Sequence, residues 1–256
     1  MKKDIKFNPT FKFAGILLLI LQFLIRAAIL DVLSLLLFSA PQTRAKRKAL
    51  LIQKHARLAL NLLEIKIHSS FRLQIESGGL IVCNHLSYVD VLVIAAQTPV
   101  LFITSVETKT SGLEGWLCRM AGCIFVERRK ITSLKSEAQE IDALLSERVP
   151  IVLFPEATSS SGNTVLPFRS SLYECAIRNR IPVHALCIQY PEPSSAIPYH
   201  GNMKLLPHLF NLCRTHGTVA QLDFIETLNS EEFGDRKQLA KKTRARIQAV
   251  YVPRTQ

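Results

Sequence analysis

Short apolar runs that do not alternate constrain this chain most: "LIVC" (80–83), "IVLF" (151–154) and "VHALCI" (183–188). A strand with one wet face alternates apolar and polar residues. A continuous run of this length fits a strand covered on both faces, the habit of parallel sheets. Strands are expected near 79–83, 100–104, 123–126, 150–154, 182–189 and 218–225. Helical patterns fall between them, near 88–97, 112–121, 133–147, 169–179, 204–214 and 231–250. This alternation predicts a single α/β domain with a mixed, largely parallel sheet flanked by helices. The length of 256 residues suits one such domain. No repeat or low-complexity linker interrupts it. The one irregular stretch is 191–202, "PEPSSAIPYHGN", a loop expected beside the site or the membrane.

The N-terminal part differs. Residues 11–38 read "FKFAGILLLILQFLIRAAILDVLSLLLF", long enough to cross a bilayer but broken by Arg26 and Asp31. Each charge costs roughly 2.5–3.5 kcal/mol at the bilayer centre, and each large apolar residue recovers roughly 0.3–0.6 kcal/mol. The sums are comparable, so a single span and a helix or hairpin lying in one leaflet both stand. Basic residues flank it on both sides: Lys2, Lys3, Lys6 and Lys12 before, and Arg44, Lys46, Arg47, Lys48, Lys54 and Arg57 after. The heavier positive flank places the main domain on the cytoplasmic side, and two positive flanks favour the monotopic arrangement. Phe38 in "LFSA", followed by the basic run, argues against a cleaved signal peptide. The division expected is a membrane-anchoring segment, 1–40, and a catalytic domain, 41–256. Beyond Pro41, residues 43–63 have helical period with a basic face, and "IKIHSS" and "FRLQIES" alternate like short strands around a Ser-Ser turn.

Composition narrows the partners. Net charge is +12 with 48% hydrophobic residues, and mean hydropathy is +0.19. A chain both basic and apolar fits an anionic membrane surface. Aromatic residues are 7% and no aromatic-basic repeat occurs, so nucleic acid is not an expected partner. The basic helix "RKQLAKKTRAR" reads as a solvated or membrane-facing surface. Six cysteines, Cys83, Cys118, Cys123, Cys175, Cys187 and Cys213, contain no C-x-x-C pair and no zinc pattern, which fits free thiols in a reducing compartment. No metal is expected.

Chemistry-bearing residues stand where apolar runs end. In "LIVCNHLSYVD", His85 and Asp90 are five residues apart. On one continuous helix they would diverge by about 140°. If the helix starts near Tyr88, His85 lies in the preceding loop and can fold back on Asp90, which would take the Nδ1 proton and leave Nε2 as a base. Equally, Ser87 and Asp90 have the spacing of a helix N-cap, which would leave His85 a loop residue. In "GCIFVERR", Arg128 and Arg129 follow a strand and Gly122; they fit a phosphate or carboxylate, or a solvated charge run. "IVLFPEATSSSGN" puts Glu156 and a hydroxyl-rich turn at a strand end, where open α/β sheets bind ligands, or where an ordinary turn forms. "RIPVHALCI" opens a strand with Pro182.

"NHLSYVD", "GCIFVER", "FPEATSS" and "IPV" occur in the order and rough spacing of four motifs of the glycerolipid (1-acylglycerol-3-phosphate) acyltransferase family, which residues 65–225 resemble. The resemblance implies that His85 is the general base on an acceptor hydroxyl and Asp90 its orienting partner. The hydroxyl would attack the thioester of acyl-CoA or acyl carrier protein directly, with no other cofactor. Arg128, Glu156 and Thr158 would hold the acceptor or shape its pocket, with Asn84, Gly122, Phe125, Pro155, Arg169 and Pro182 as further pocket candidates. No G-x-S-x-G elbow suggests a serine nucleophile. The chain departs from the family where Ala157 and Ser159 replace a usual glycine and arginine, and where Ser105 stands for a frequent lysine. Losing cations weakens phosphate recognition, although Arg169 offers a replacement. "FPEATSSSGNTVLPFRSSL" is most similar to a bacterial subgroup that includes lyso-ornithine-lipid acyltransferases. The expected acceptor is 1-acyl-sn-glycerol-3-phosphate, with a lyso-ornithine lipid or another lyso-lipid second, at the cytoplasmic face of a bacterial inner membrane. A catalytically silent lipid-binding scaffold is the reading from another class.

Overall fold

A computed structural model describes residues 8–69, 71, 78–126, 141, 143–144, 149–191 and 196–254. Among the described residues, seven strands form one sheet: β1 (Lys66–His68), β2 (Leu80–Cys83), β3 (Leu101–Ser105), β4 (Ile124–Val126), β5 (Ile151–Leu153), β6 (Pro182–Gln189) and β7 (Val219–Asn229). Their order across the sheet is β1-β7-β6-β2-β5-β3-β4. All neighbouring pairs are parallel except β6 with β7. β2 is buried at every residue, as its unbroken apolar run requires. Around the sheet lie α3 (Tyr88–Gln97), α4 (Gly112–Ala121), α5 (Glu174–Asn179), α6 (Leu205–Cys213) and α7 (Arg236–Val250). The six cysteines are free thiols.

Most expected elements appear within a residue or two, and the differences have local causes. The helix expected over 231–250 starts only at Arg236: a 3-10 turn occupies Ser230–Glu232, and the Asp235 carboxylate caps α7 by accepting from the Lys237 and Gln238 N–H groups. The helix expected over 169–179 divides into a 3-10 turn, Ser170–Tyr173, and the short α5. The last strand runs to Asn229 because it pairs along the whole of β6. β1 pairs in parallel with β7. The second strand expected there, over 71–77, lies almost wholly outside the described residues. So does the helix expected over 133–147, of which Ile141 and Leu144 are described and buried.

Before the sheet, α1 (Pro9–Leu36) and α2 (Pro41–Leu62) form a hairpin. Gly15 lets the helices approach closely: a Cβ there would stand 2.8 Å from a Leu62 methyl group. One stripe of α1, with Lys12, Ile16, Leu24, Ala27 and Ser34 buried, rests on the rest of the protein over most of its length. The opposite face exposes Phe11, Leu18, Leu21, Ile25, Ile29 and Val32. Asp31, an obstacle to burial in lipid, is paired with Arg44 (2.8 Å) and Lys48 (3.0 Å) of α2.

Lys12 anchors the start of α1. It is fully buried, donates to the Thr215 carbonyl at 3.0 Å and lies 3.2 Å from a Glu64 carboxylate oxygen. Lys12→Met removes that charge from among its acceptors, with an expected loss of about 2 kcal/mol. Chemical denaturation and limited proteolysis check it: the midpoint falls and cleavage within the hairpin accelerates. Unchanged values would show that another contact holds α1.

Candidate active site

β6, β2 and β5 are adjacent and parallel, so their C-terminal ends open onto one rim. That rim collects Tyr190, Asn84–Asp90 and Phe154–Glu156. Ligands of open α/β sheets gather at such ends.

Asn84 fixes the exit from β2. Its side-chain amide donates to the Ile188 carbonyl (2.9 Å) and its carbonyl accepts from the Ile188 N–H (2.8 Å), a side-chain copy of strand pairing. The chain then turns, and Ser87 caps α3 in a capping box with Asp90. The two readings of Asp90 left open above are therefore both true. Its Oδ2 accepts from the Ser87 N–H (2.9 Å) and Leu86 N–H (2.6 Å), and lies 2.9 Å from His85 Nδ1. Oδ1 accepts from the Tyr190 hydroxyl at 2.6 Å.

This network assigns the tautomer. Asp90 is fully buried and surrounded by donors, an arrangement for a carboxylate, which can only accept. His85 Nδ1 must then carry the proton, and in the neutral imidazole Nε2 is left with its lone pair. The His85 side chain keeps 18% of its exposure, so the ring is reachable. Its face stacks on Phe154, centroids 4.1 Å apart, which holds the ring plane. Ser160 clasps the same loop, its N–H donating to the His85 carbonyl at 3.0 Å.

Glu156 is brought to the site, but as a brace. One carboxylate oxygen accepts from the His85 N–H (2.9 Å) and the other from the Leu166 N–H (3.1 Å), so both oxygens are already engaged by backbone. Burial pushes its pKa from 4.5 up to about 7, outweighing those two N–H groups. Ala157, in the usual glycine position, adopts φ +62°, which explains why a glycine suits it. Thr158 is exposed and donates to the Ser159 carbonyl.

The other candidates separate. Pro155 accepts from the Arg169 N–H at 2.9 Å, so both lie near the rim, with Arg169 exposed. Gly122 ends α4 at φ +73° against the Lys48 side chain. Phe125 lies on β4 with the Lys109 ammonium 4.8 Å over its ring. Arg128 falls outside the described residues. Pro182 is not at the site: β2 and β6 run in parallel with Leu80 beside Val183, so Pro182 starts its strand at the opposite end of the sheet from His85. Some six residues of strand, about 20 Å, separate those ends. Its position at the mouth of a strand was legible; which end of the sheet that mouth occupies was not.

One partner escaped sequence reading. Tyr190 is fully buried, and burial together with the Asp90 charge pushes its hydroxyl well above the ordinary value, so it stays a donor. Its place at a strand end was a signal; its aim at Asp90 was not. The 196–200 segment borders the site, as expected of the loop: the Tyr199 N–H donates to the Leu86 carbonyl (2.9 Å), and Ser159 Oγ donates to the Tyr199 carbonyl. Among the described residues, no group of three His, Cys, Asp or Glu is arranged to hold a metal.

Behind the rim lies a cavity of about 290 Å³ with almost wholly apolar walls. α1, α2, α3, α4 and α6 line it, and Phe102 forms part of its wall. Phe102 stacks on Phe154, centroids 6.3 Å apart, and Phe154 on His85. The cavity thus adjoins the imidazole through two stacked rings.

Two outcomes follow. Tyr190→Phe deletes a donor to a buried carboxylate; kcat is expected to fall about tenfold with KM little changed, since Asp90 acts only through His85. Steady-state kinetics check it. For Glu156, the folded chain binds the proton more tightly than the unfolded chain, so its contribution to stability falls as pH rises from 4.5 to about 7. Glu156→Gln cannot titrate. The stability of the natural protein relative to that variant therefore declines by about 3 kcal/mol between pH 4.5 and 8. Denaturation at both pH values reads it, and a constant difference would show that folding leaves the Glu156 pKa where the unfolded chain has it.

The sequence profile of the acyltransferase family matches residues 64–189. The chain is 28% identical over 210 residues to the lyso-ornithine lipid O-acyltransferase of Rhizobium meliloti (strain 1021), covering 75% of this chain and 71% of that one. It is 27% identical over 177 residues to the 1-acyl-sn-glycerol-3-phosphate acyltransferase of Neisseria gonorrhoeae, covering 68% and 69%. The crystal structure of PlsC, the 1-acyl-sn-glycerophosphate (LPA) acyltransferase of Thermotoga maritima, superposes with a TM-score of 0.64 at 19% identity, covering 97% of this chain and 95% of that one, and shows the same fold. The apolar outer face of α1 and these lipid-acylating relatives mark a membrane-associated protein. Motifs, fold and relatives agree: residues 64–189 carry an acyltransferase-family domain, and the chain is an O-acyltransferase.

Proposed function

We propose that the protein transfers a fatty acyl group from acyl-CoA or acyl carrier protein to the free hydroxyl of a lyso-lipid in membrane lipid synthesis. The observation that carries this is the His85 imidazole, whose Nδ1 is committed to a four-donor Asp90 carboxylate while Nε2 keeps its lone pair, with an apolar cavity two stacked rings away. Nε2 takes the proton of the acceptor hydroxyl as its oxygen attacks the thioester carbonyl; the C–S bond breaks, the imidazolium returns that proton to the departing sulfur, and the ester and free thiol result. Asp90 stabilises the imidazolium and keeps the ring in register. The cavity suits an acyl chain, which must leave water during the reaction. A scaffold has no use for such a pair.

The first acceptor is 1-acyl-sn-glycerol-3-phosphate, the substrate in the name of the Neisseria relative. A lyso-ornithine lipid is the second reading, and a specific observation favours it. Ser105 and Ser159, where family members often carry cations, are occupied in the scaffold: Ser105 Oγ accepts from the Glu107 N–H at 3.2 Å, and Ser159 Oγ donates to Tyr199. Neither supplies charge to a phosphomonoester.

The protein sits, on this reading, at the cytoplasmic face of the inner membrane as a monotopic enzyme. α1 rests one stripe on the domain over most of its length, which a helix surrounded by lipid would not do, and offers its apolar face to one leaflet. The +12 net charge strengthens attachment to anionic lipid.

Acyl transfer by the purified protein tests the function, with lysophosphatidic acid and lyso-ornithine lipid offered in parallel to both donors. His85→Ala is expected to lower kcat at least about 10³-fold while lyso-lipid binding persists. Residual activity close to the natural rate would sink the base assignment. Binding without turnover in the natural protein, across a broad acceptor panel, would support the scaffold.

A further inference from the structure

Two of the six thiols meet at the end of α4. The helix closes with a pair of hydrogen bonds: the Cys123 N–H donates to the Cys118 carbonyl and the Gly122 N–H to the Arg119 carbonyl, each at 3.0 Å, with Gly122 left-handed at φ +73°. This closure brings together the side chains at the two ends of the longer bond. Here both are cysteines, and the Cys123 thiol donates to the Cys118 sulfur. That contact holds the Cys118 thiol below its ordinary pKa, against burial and the Glu114 carboxylate. It pushes the Cys123 thiol up, and burial adds to the rise. Both residues are half-buried, whereas Cys83, Cys175, Cys187 and Cys213 are buried. Burial pushes the thiols of Cys83, Cys187 and Cys213 up.

The pair stands between two spaces. Cys118 and Cys123 both line the apolar cavity, and Cys123 also lines a polar groove with Arg44, Lys48 and Arg119. We infer that Cys118 and Cys123 form an oxidation site that a hydroperoxide converts to a disulfide, with Cys118 reacting first and Cys123 resolving it. Cys118 gives up its proton and its sulfur attacks the terminal oxygen of the hydroperoxide. The O–O bond breaks, the departing oxygen takes that proton, and a sulfenic acid remains on Cys118. The Cys123 sulfur then attacks the Cys118 sulfur; the S–O bond breaks and the hydroxyl leaves with the Cys123 proton as water. Two thiols lose two electrons, and the hydroperoxide is reduced to water and an alcohol, or to two waters. A partner already in contact captures the sulfenic acid before it oxidises further. The hydroperoxide arrives as hydrogen peroxide or on a peroxidised acyl chain in the cavity, and only the second source rests on the acyl-transfer reading.

The test treats the folded, reduced protein with a small molar excess of hydrogen peroxide in one arm and of a fatty acyl hydroperoxide in the other. After an acid quench, free thiols are counted and mapped by mass spectrometry. The six thiols are expected to fall to four, with Cys118 joined to Cys123, and dithiothreitol is expected to restore them. Cys118 is expected to react at least about tenfold faster than any of the four buried cysteines. In Cys123→Ser a sulfenic acid persists on Cys118 and is trapped by dimedone; in Cys118→Ser neither adduct nor disulfide forms. Peptide mapping of the natural protein decides the matter if either variant fails to fold. A Cys118–Cys123 disulfide in either arm supports the inference, and the arm that gives it names the source. Six thiols surviving in both arms overturn it, leaving the pair as a packing contact at a helix end. So does earlier loss of the buried cysteines, or Cys118 passing to sulfinic acid while Cys123 stays free. The thiol count needs no turnover, so its outcome is separate from that of the acyl-transfer assay.

Discussion

The Asp90 carboxylate is the interaction on which the rest of the site depends. It closes the capping box that starts α3, receives two loop N–H groups, takes a hydroxyl from the end of β6 and orients His85. Capping and the His85–Asp90 pairing are one geometry. The loop can turn back only because its N–H groups find this acceptor, and the turn is what brings the imidazole within reach. A buried carboxylate with full hydrogen bonding is rigid, which suits a group whose task is to hold a ring in one tautomer.

Around that centre the three strand ends act as a frame. Asn84 extends the pairing of β2 with β6 past the last strand residue, Glu156 ties the β5 loop to the His85 backbone, and Phe154 supports the ring from below. Hydrophobic packing supplies the second half of the site. The α1–α2 hairpin and the helices beyond it leave an apolar cavity behind the same stacked rings. The His85 imidazole and the hydrocarbon space are thus joined through two stacked rings, and the outer face of α1 is apolar.

The legible residues were those whose roles are local. His85 and Asp90 stand on either side of a helix start, so spacing allowed their meeting as readily as a plain N-cap, and the resemblance of the motifs favoured the pair. Buried strands could be read from continuous apolar runs, and α3 and α4 from their periodicity. Pro182 shows the limit. Its motif marked a strand start, but parallel register with β2 put that start at the wrong end of the sheet. Glu156 shows another: a carboxylate after a strand reads as a ligand group, whereas folding gives both of its oxygens to backbone N–H groups from His85 and from Leu166, ten residues further on.

By itself the sequence determined the α/β class, the site loop that carries His85 and Asp90, and an apolar, basic N-terminal segment. Each is set by neighbours within a few residues or by a repeating pattern along the chain. Only the tertiary structure decided that Tyr190, a hundred residues from Asp90, completes the carboxylate's partners. It alone decided that Asp31 finds two cations on α2 and that α1 lies along the domain. Those contacts come from helices and strand ends meeting across the core. No local spacing encodes them, because which faces meet depends on how the whole chain buries its apolar surface.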